Sequence, residues 1–219
     1  MCALIQILDY GSGNLFSIKD SLNRVSPQLK VKISTDYEEG RMDGLVLPGV
    51  GSFSSAQRLL VKNRPAILRD VSTKKMPILG ICLGMQLMFE KSEEGKGIGL
   101  KLFKGNVVRF ESKQNLKVPH MGWNRVLLKK DAMDNSNFCY DLPASDWAYF
   151  AHSFFPEATD GNFINATTRY GNQTFPSIIQ NDNIVGTQFH PEKSGDFGFK
   201  IISNFARAVI SQAEKDPAC

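Results

Sequence analysis

Pro77-Ile78-Leu79-Gly80-Ile81-Cys82-Leu83-Gly84-Met85-Gln86 is the stretch on which the reading of this chain turns. Residues 77–82 form a short apolar run of the kind that makes a buried strand, and 83–91 have the composition of a helix. A residue held between strand and helix sits on a sharp turn, where small neighbours relieve the crowding. Gly80 and Gly84 stand two residues before and two after Cys82, which is the spacing of a nucleophile elbow with cysteine in place of serine. Such a turn lifts the sulfur off the sheet, and the partial positive charge of a helix N-terminus favours the thiolate. The competing reading is a buried, inert cysteine between two packing glycines.

Upstream of the elbow, apolar runs at 4–8, 31–34 and 44–47 read as strands, and 14–25, 52–61 and 65–73 carry helical spacing. Pro65 is placed near a helix start, where its missing N–H costs nothing. Strands alternating with helices imply parallel pairing and an α/β sandwich. From about residue 97 the texture changes. Short β-like runs at 107–110, 123–128, 148–154, 162–168, 175–180 and 184–189 are separated by Gly, Asn and Asp. These read as antiparallel and hairpin-linked. Residues 196–214 close the chain as an amphipathic helix with Phe199, Ile202, Phe205, Ala206 and Val209 on one face. The expectation is one α/β domain over 1–219, with a mixed, largely parallel sheet flanked by helices and a smaller antiparallel portion from the second half. Residues 111–117 and 132–146 carry no clear pattern, and the tail 216–219 is expected to fray.

The 219 residues are 42 % apolar and 22 % charged, ordinary for a globular protein, with a net charge of only +4. No Lys/Arg run exceeds two residues, so the basic patch of a nucleic-acid binder is absent. The N-terminal run lacks a basic n-region, and no window approaches the roughly 20 apolar residues of a membrane span. Cys2, Cys82, Cys139 and Cys219 form no CxxC pair and no zinc spacing. The expectation is a cytoplasmic chain with reduced thiols and no metal or organic cofactor. The glycosylation sequons at Asn165 and Asn172 then read as chance matches.

A cysteine nucleophile needs a base, and only His120, His152 and His190 are present. His190 follows a strand in Gly186-Thr187-Gln188-Phe189-His190-Pro191-Glu192, with Glu192 two residues on, close enough to orient the imidazole. The alternative is a strand-end histidine satisfied by backbone. Acyl transfer also needs an oxyanion hole. The Leu83 N–H follows the nucleophile directly, and a second donor is expected from Pro48-Gly49-Val50-Gly51-Ser52-Phe53. That loop equally suits a strand-to-helix turn with Ser52 as N-cap, and the two readings are compatible.

The Pro48–Gly51 loop, the elbow and Phe189-His190-Pro191-Glu192 together resemble the class I (triad) glutamine amidotransferases, in order and over nearly the whole chain. Asp9-Tyr10-Gly11-Ser12-Gly13-Asn14-Leu15, Pro119-His120-Met121-Gly122-Trp123-Asn124 and Tyr149-Phe150-Ala151-His152-Ser153-Phe154 are similar to the glutaminase subunits of imidazole glycerol phosphate synthases. The resemblance implies that Cys82 attacks the glutamine side-chain amide, that His190 is the acid and base, and that Glu192 orients it. It implies that Gly49, Val50, Gly51, Leu83 and Gln86, with the backbone of His152, Ser153 and Phe154, hold substrate and oxyanion, the donors being Val50 and Leu83. The implied partner is a (β/α)8-barrel cyclase, forming a heterodimer and receiving ammonia through a tunnel. Asn14, Tyr149 and Lys193 fall where that family places its exit and subunit contact, and Met121 and Trp123 are further contact candidates. Trp123 equally suits a core position, and Lys193 a solvated surface charge. The resemblance also implies a free subunit nearly silent until the Val50 amide turns toward the oxyanion, a flip that Gly49 and Gly51 would ease.

Three other readings compete. A related glutaminase serving surface-polysaccharide sugar amidation would show the same motifs. A dead scaffold on the same fold predicts a lost triad member, and none is lost. A cysteine peptidase needs an open cleft, whereas Gln86 and the two glycine loops suggest a closed pocket for a small amide.

Overall fold

The computed structural model describes residues 2–11, 14–49, 51–111 and 116–215. The Ser12-Gly13 part of the first turn, Val50 and the 216–219 tail lie outside the described residues. The first half alternates β1 (Ala3–Leu8), α1 (Leu15–Val25), β2 (Leu29–Ser34), β3 (Gly44–Leu47), α2 (Phe53–Thr73), β4 (Ile78–Ile81) and α3 (Leu83–Gln86). The second half runs β5 (Lys91–Ser92), β6 (Gly105–Arg109), β7 (His120–Leu128), α4 (Lys130–Asn135), β8 (Ser145–His152) and β9 (Phe154–Ala158). It ends with β10 (Ile164–Tyr170), β11 (Gln173–Asn181), β12 (Ile184–Thr187) and α5 (Gly195–Lys215).

Among the described residues the strands make a nine-stranded sheet in the order β2-β1-β3-β4-β12-β11-β10-β7-β8, and a three-stranded sheet β5-β6-β9. Pairing is parallel from β2 to β12 and antiparallel from β12 to β8. Every residue of β3, β4 and β12 is buried, which is why they read as unbroken apolar runs rather than alternating ones. Helices cover both faces. Ile18 and Leu22 of α1 pack with Ile202, Phe205 and Val209 of α5, while Phe53, Leu60 and Ile67 of α2 pack on the other face.

Two features of this topology make the site. The last strand, β12, enters between β4 and β11 and pairs in parallel with β4, Thr187 beside Ile81. The residues that follow each strand, Cys82 and His190, therefore emerge at the same end of the sheet. The second feature is a change of sheet. The run expected as one strand at 148–154 is two, β8 pairing with β7 and β9 with β6, and the chain crosses between them at Ser153.

Several expectations are corrected. Residues 52–73 hold one helix, not two, and Pro65 lies inside α2. The carbonyl that loses its donor is that of Val61, on the exposed side of the helix, where the loss is cheapest. The helix after Cys82 spans only Leu83–Gln86 instead of reaching 91. Beyond it the backbone turns back to bond other segments, Glu90 N–H to the Gly105 carbonyl and Leu100 N–H to the Leu87 carbonyl. So short a helix has little macrodipole to act on Cys82. Within the unassigned stretch, Ala132 belongs to α4, and Asn137–Cys139 forms a 3-10 turn. On α5 Phe197 and Phe205 are buried, whereas Phe199 is half-buried under the Arg24 guanidinium, 5.1 Å above its ring.

Candidate active site

Cys82 sits at φ 49° and ψ −103°, a conformation that costs a non-glycine residue about 1–3 kcal/mol. The neighbours explain how it is held. A Cβ on Gly84 would lie 2.0 Å from the Leu47 carbonyl oxygen, and one on Gly80 would lie 2.7 Å from the Gly84 carbonyl. The glycines are there for space, as the elbow spacing predicts. Gly49 is fitted in the same way, its absent Cβ only 2.6 Å from the Ile81 carbonyl oxygen and 2.9 Å from Cys82 Cβ. The Cys82 N–H donates to the Thr187 carbonyl at 2.7 Å, tying the elbow to β12.

His190 is anchored on two sides. Its backbone N–H donates to the Tyr149 carbonyl at 2.9 Å, and its carbonyl accepts the Ser194 hydroxyl at 2.6 Å. Its Nδ1 meets Glu192 Oε1 at 2.9 Å, with both side chains almost fully buried, which leaves Nε2 for the sulfur. Glu192 Oε2 is buried without a hydrogen-bond partner, so the carboxylate answers mainly to this imidazole. Burial pushes the imidazole down, but Cys82 and then Glu192 overcome it and lift His190 to about 10. An inert strand-end histidine would not be placed this way.

The sulfur opens into a cavity of about 430 Å³. Gly49, Gly51, Leu83, Gln86, Met121, Tyr149, His152, Ser153, Phe154, His190 and Lys193 are among the residues that line it. Two further clefts of about 400 and 440 Å³ are lined by no cysteine or histidine, and so cannot hold a cysteine–histidine pair. Lys193 Nζ lies 5.7 Å from the Tyr149 ring centroid at the rim, and Trp123 meets Tyr149 at 6.3 Å. Trp123 is 55 % and Met121 65 % exposed, which removes the core reading of Trp123. Asn14 does not line the cavity; it precedes α1, and its side chain accepts the Ser17 hydroxyl at 2.7 Å. Val50, the expected second oxyanion donor, and its proposed flip lie outside the described residues.

The opposite wall is histidine again, but of another character. His152 Nδ1 lies 2.8 Å from the Phe154 carbonyl, and its Nε2 lies 3.0 Å from His120 Nδ1. Burial drives His152 down to about 3, the neighbouring His120 and His190 adding to this against a rise from the Phe154 carbonyl; burial also lowers His120, to about 4. With its ring so engaged, the backbone of this segment is what it can offer a ligand.

Three contributors are not signalled as site residues by the sequence. Glu94 brings a carboxylate to the cavity, where it also accepts the Phe53 N–H at 2.8 Å beside the Ser52 N-cap. It lies in a polar turn with no motif to announce it. Gln188 donates to Cys82 Sγ at 3.5 Å; its place in the His190 motif is the one available signal. The buried Tyr10 hydroxyl donates to the Pro48 carbonyl at the root of the glycine loop. Burial, with Cys82 and Asp9 adding to it, keeps that phenol protonated.

A strained cysteine elbow at the end of β4, a carboxylate-held histidine at the end of β12 and a small cavity between them define a glutamine amidotransferase of class I. The family model described as glutamine amidotransferase class-I matches residues 6–209. Imidazole glycerol phosphate synthase subunit HisH of Caldanaerobacter subterraneus subsp. tengcongensis is 44 % identical over 209 residues, 94 % of this chain and 98 % of that protein. The HisH subunit of Methanocaldococcus jannaschii is 44 % identical over 208 residues, 94 % of this chain and all of that one. The chain belongs to the class-I glutamine amidotransferase family, in its branch of imidazole glycerol phosphate synthase HisH subunits. Solved structures share the fold at lower identity. PurLQS from Thermotoga maritima has a TM-score of 0.69 at 16 % identity, covering 96 % of this chain and 99 % of that one. The glutaminase domain of Trypanosoma brucei CTPS with bound acivicin has a TM-score of 0.58 at 16 % identity, covering 99 % and 95 %.

Proposed function

We propose that residues 1–219 act as a single cytoplasmic glutaminase domain that hydrolyses glutamine and passes the ammonia to a (β/α)8-barrel cyclase in histidine biosynthesis. The observation that carries this is the parallel seating of β12 on β4, which delivers the buried His190–Glu192 pair to the Cys82 sulfur. Cys82 attacks the side-chain amide carbon of glutamine as a thiolate whose counter-charge is protonated His190. The developing oxyanion meets the Leu83 N–H and a donor from the Val50 peptide. His190 Nε2 then protonates the leaving nitrogen, and ammonia departs from a glutamyl thioester. The same nitrogen next takes a proton from water, whose attack releases glutamate and expels the sulfur as thiolate beside protonated His190, the state from which the cycle began. The Glu94 carboxylate suits the substrate ammonium, and the Ser153 region offers backbone to its carboxylate.

The exposed Met121 and Trp123, with Tyr149 and Lys193 at the rim, form the face on which the cyclase seats, so that the cavity mouth is sealed against water. Asn14 belongs to the same contact in this reading. The HisH names of the relatives favour this partner over a sugar-amidating one. Among the described residues no helix is long and apolar enough to cross a membrane. The experiment is glutamate release by this chain alone and with an imidazole glycerol phosphate cyclase plus its nucleotide ligand, beside Cys82→Ser. Strong stimulation that disappears in the variant is the expected result. Slow turnover with no stimulation would retain the glutaminase and reject the partner.

A further inference from the structure

The mechanism uses the side chain of one of the three histidines, two of which line the cavity while His120 stands behind His152. The other two belong to a hydrogen-bond chain whose direction is set at both ends by groups with a single role. Asn124 Nδ2 donates to the Arg169 carbonyl at 3.0 Å and its Oδ1 accepts the Arg125 N–H at 2.7 Å, which settles the orientation of the amide. The same amide nitrogen lies 3.1 Å from His120 Nε2, which must therefore accept. His120 then carries its proton on Nδ1 and donates to His152 Nε2 at 3.0 Å. At the far end His152 Nδ1–H donates to the Phe154 carbonyl at 2.8 Å. Both rings are neutral Nδ1–H tautomers; protonating either would set two donors face to face.

The chain continues to the nucleophile. The Phe154 carbonyl also accepts Gln86 Nε2 at 2.8 Å, and that nitrogen reaches Gln188 Oε1 at 3.2 Å. Gln188 Nε2 closes the path on the sulfur at 3.5 Å. His120 itself is clamped, stacked 4.0 Å from the Tyr170 ring centroid and 4.8 Å from that of Phe150.

We propose that His120, set by Asn124, is a positioning residue of the glutamine pocket. It locks His152 in one tautomer and so places the Phe154 carbonyl, Gln86 and Gln188 against the Cys82 sulfur. The proposal deepens the glutaminase reading above and rests on it.

The test compares wild type, His120→Phe and His120→Asn. Phenylalanine keeps the stack and loses both hydrogen bonds, while asparagine restores a donor near Nδ1. Glutaminase kinetics are measured on the complex with the cyclase, and ring nitrogen–proton correlation spectra of the full chain report the tautomer of each histidine. Wild type should show His152 as a single neutral Nδ1–H form. His120→Phe should raise KM for glutamine about tenfold with a smaller change in kcat, and His152 should lose its single tautomer. His120→Asn should recover most of the KM. Asn124→Leu should move both readouts the same way, more weakly, and serves if His120→Phe does not fold. An unchanged KM or an unchanged His152 tautomer in a folded variant overturns the proposal. Absence of glutamine turnover in wild type would instead sink the glutaminase reading, leaving the spectra to judge the relay.

Discussion

Two walls of one cavity treat the same side chain in opposite ways. On the β4–β12 wall His190 faces a buried carboxylate and a sulfur. Against the pull of burial, these lift it to about 10. On the β7–β9 wall His120 and His152 meet carbonyls, an amide and aromatic rings, and burial, the main cause there, drives them to about 4 and 3. All three are nearly inaccessible, at 2 %, 3 % and 5 % exposure, so depth does not separate them. The company of charge does. One wall gains a proton carrier, and the other gains a neutral plate that holds its shape.

The largest expected effect comes from breaking the charged wall. Cys82→Ser should lower glutamate release by about 10³-fold or more. Glu192→Gln should cost about 10²-fold, because the imidazole, raised first by Cys82 and then by Glu192, loses the second of the charges that hold it protonated. With that charge gone His190 gives up its proton at lower pH, so the alkaline limb of the rate profile should move down. A pH–rate profile of the variant that matches wild type would remove Glu192 from its assigned role.

Glycine substitution sharpens the contrast next. A methyl at Gly84 meets the Leu47 carbonyl oxygen, a backbone atom that cannot retreat. Gly84→Ala should destabilise the fold by about 3 kcal/mol in urea titrations. Gly122 on the other wall has nothing within 4 Å but stands at φ 127°, so Gly122→Ala should cost only about 1 kcal/mol, for backbone strain. Equal costs would mean the elbow is not sterically set.

The smallest effect is the pH dependence of stability, where the walls should pull in opposite directions. His190, raised in the fold, contributes stability that is complete below its unfolded value of about 6.5 and is lost as pH rises through about 10. His120 and His152, lowered in the fold, contribute stability that is complete above about 6.5 and is lost as pH falls through about 4 and 3. Urea unfolding at pH 5, 7 and 9 should therefore show that His120→Phe flattens the acid side and His190→Asn the alkaline side. A stability curve that neither variant alters would contradict both assignments.

Much of the charged wall is legible in the sequence. Gly80, Cys82 and Gly84 declare a turn because the crowding they relieve is between chain neighbours. His190 and Glu192 declare a pair because two residues of separation bring them within reach. Ser52 declares itself the cap of α2 by the same local logic. The pairing within the neutral wall is not legible: His120 and His152 are 32 positions apart and join only because β7 and β8 pair in register, His120 beside His152. Gln188 and Cys82, 106 positions apart, meet only through the pairing of β12 with β4. Glu94 carries no local signal, and Pro65 misleads because its cost depends on which face of the helix it occupies.

The residues by themselves thus determined the candidate nucleophile, its candidate base and orienter, the strand–helix alternation and the glycines that make the elbow possible, since each follows from interactions within a few positions along the chain. Only the tertiary structure decided the protonation states of the three histidines and the composition of the cavity. Those depend on charges and hydrogen-bond partners delivered by β4, β7, β8, β9 and β12, and a titrating group responds to what stands around it in space.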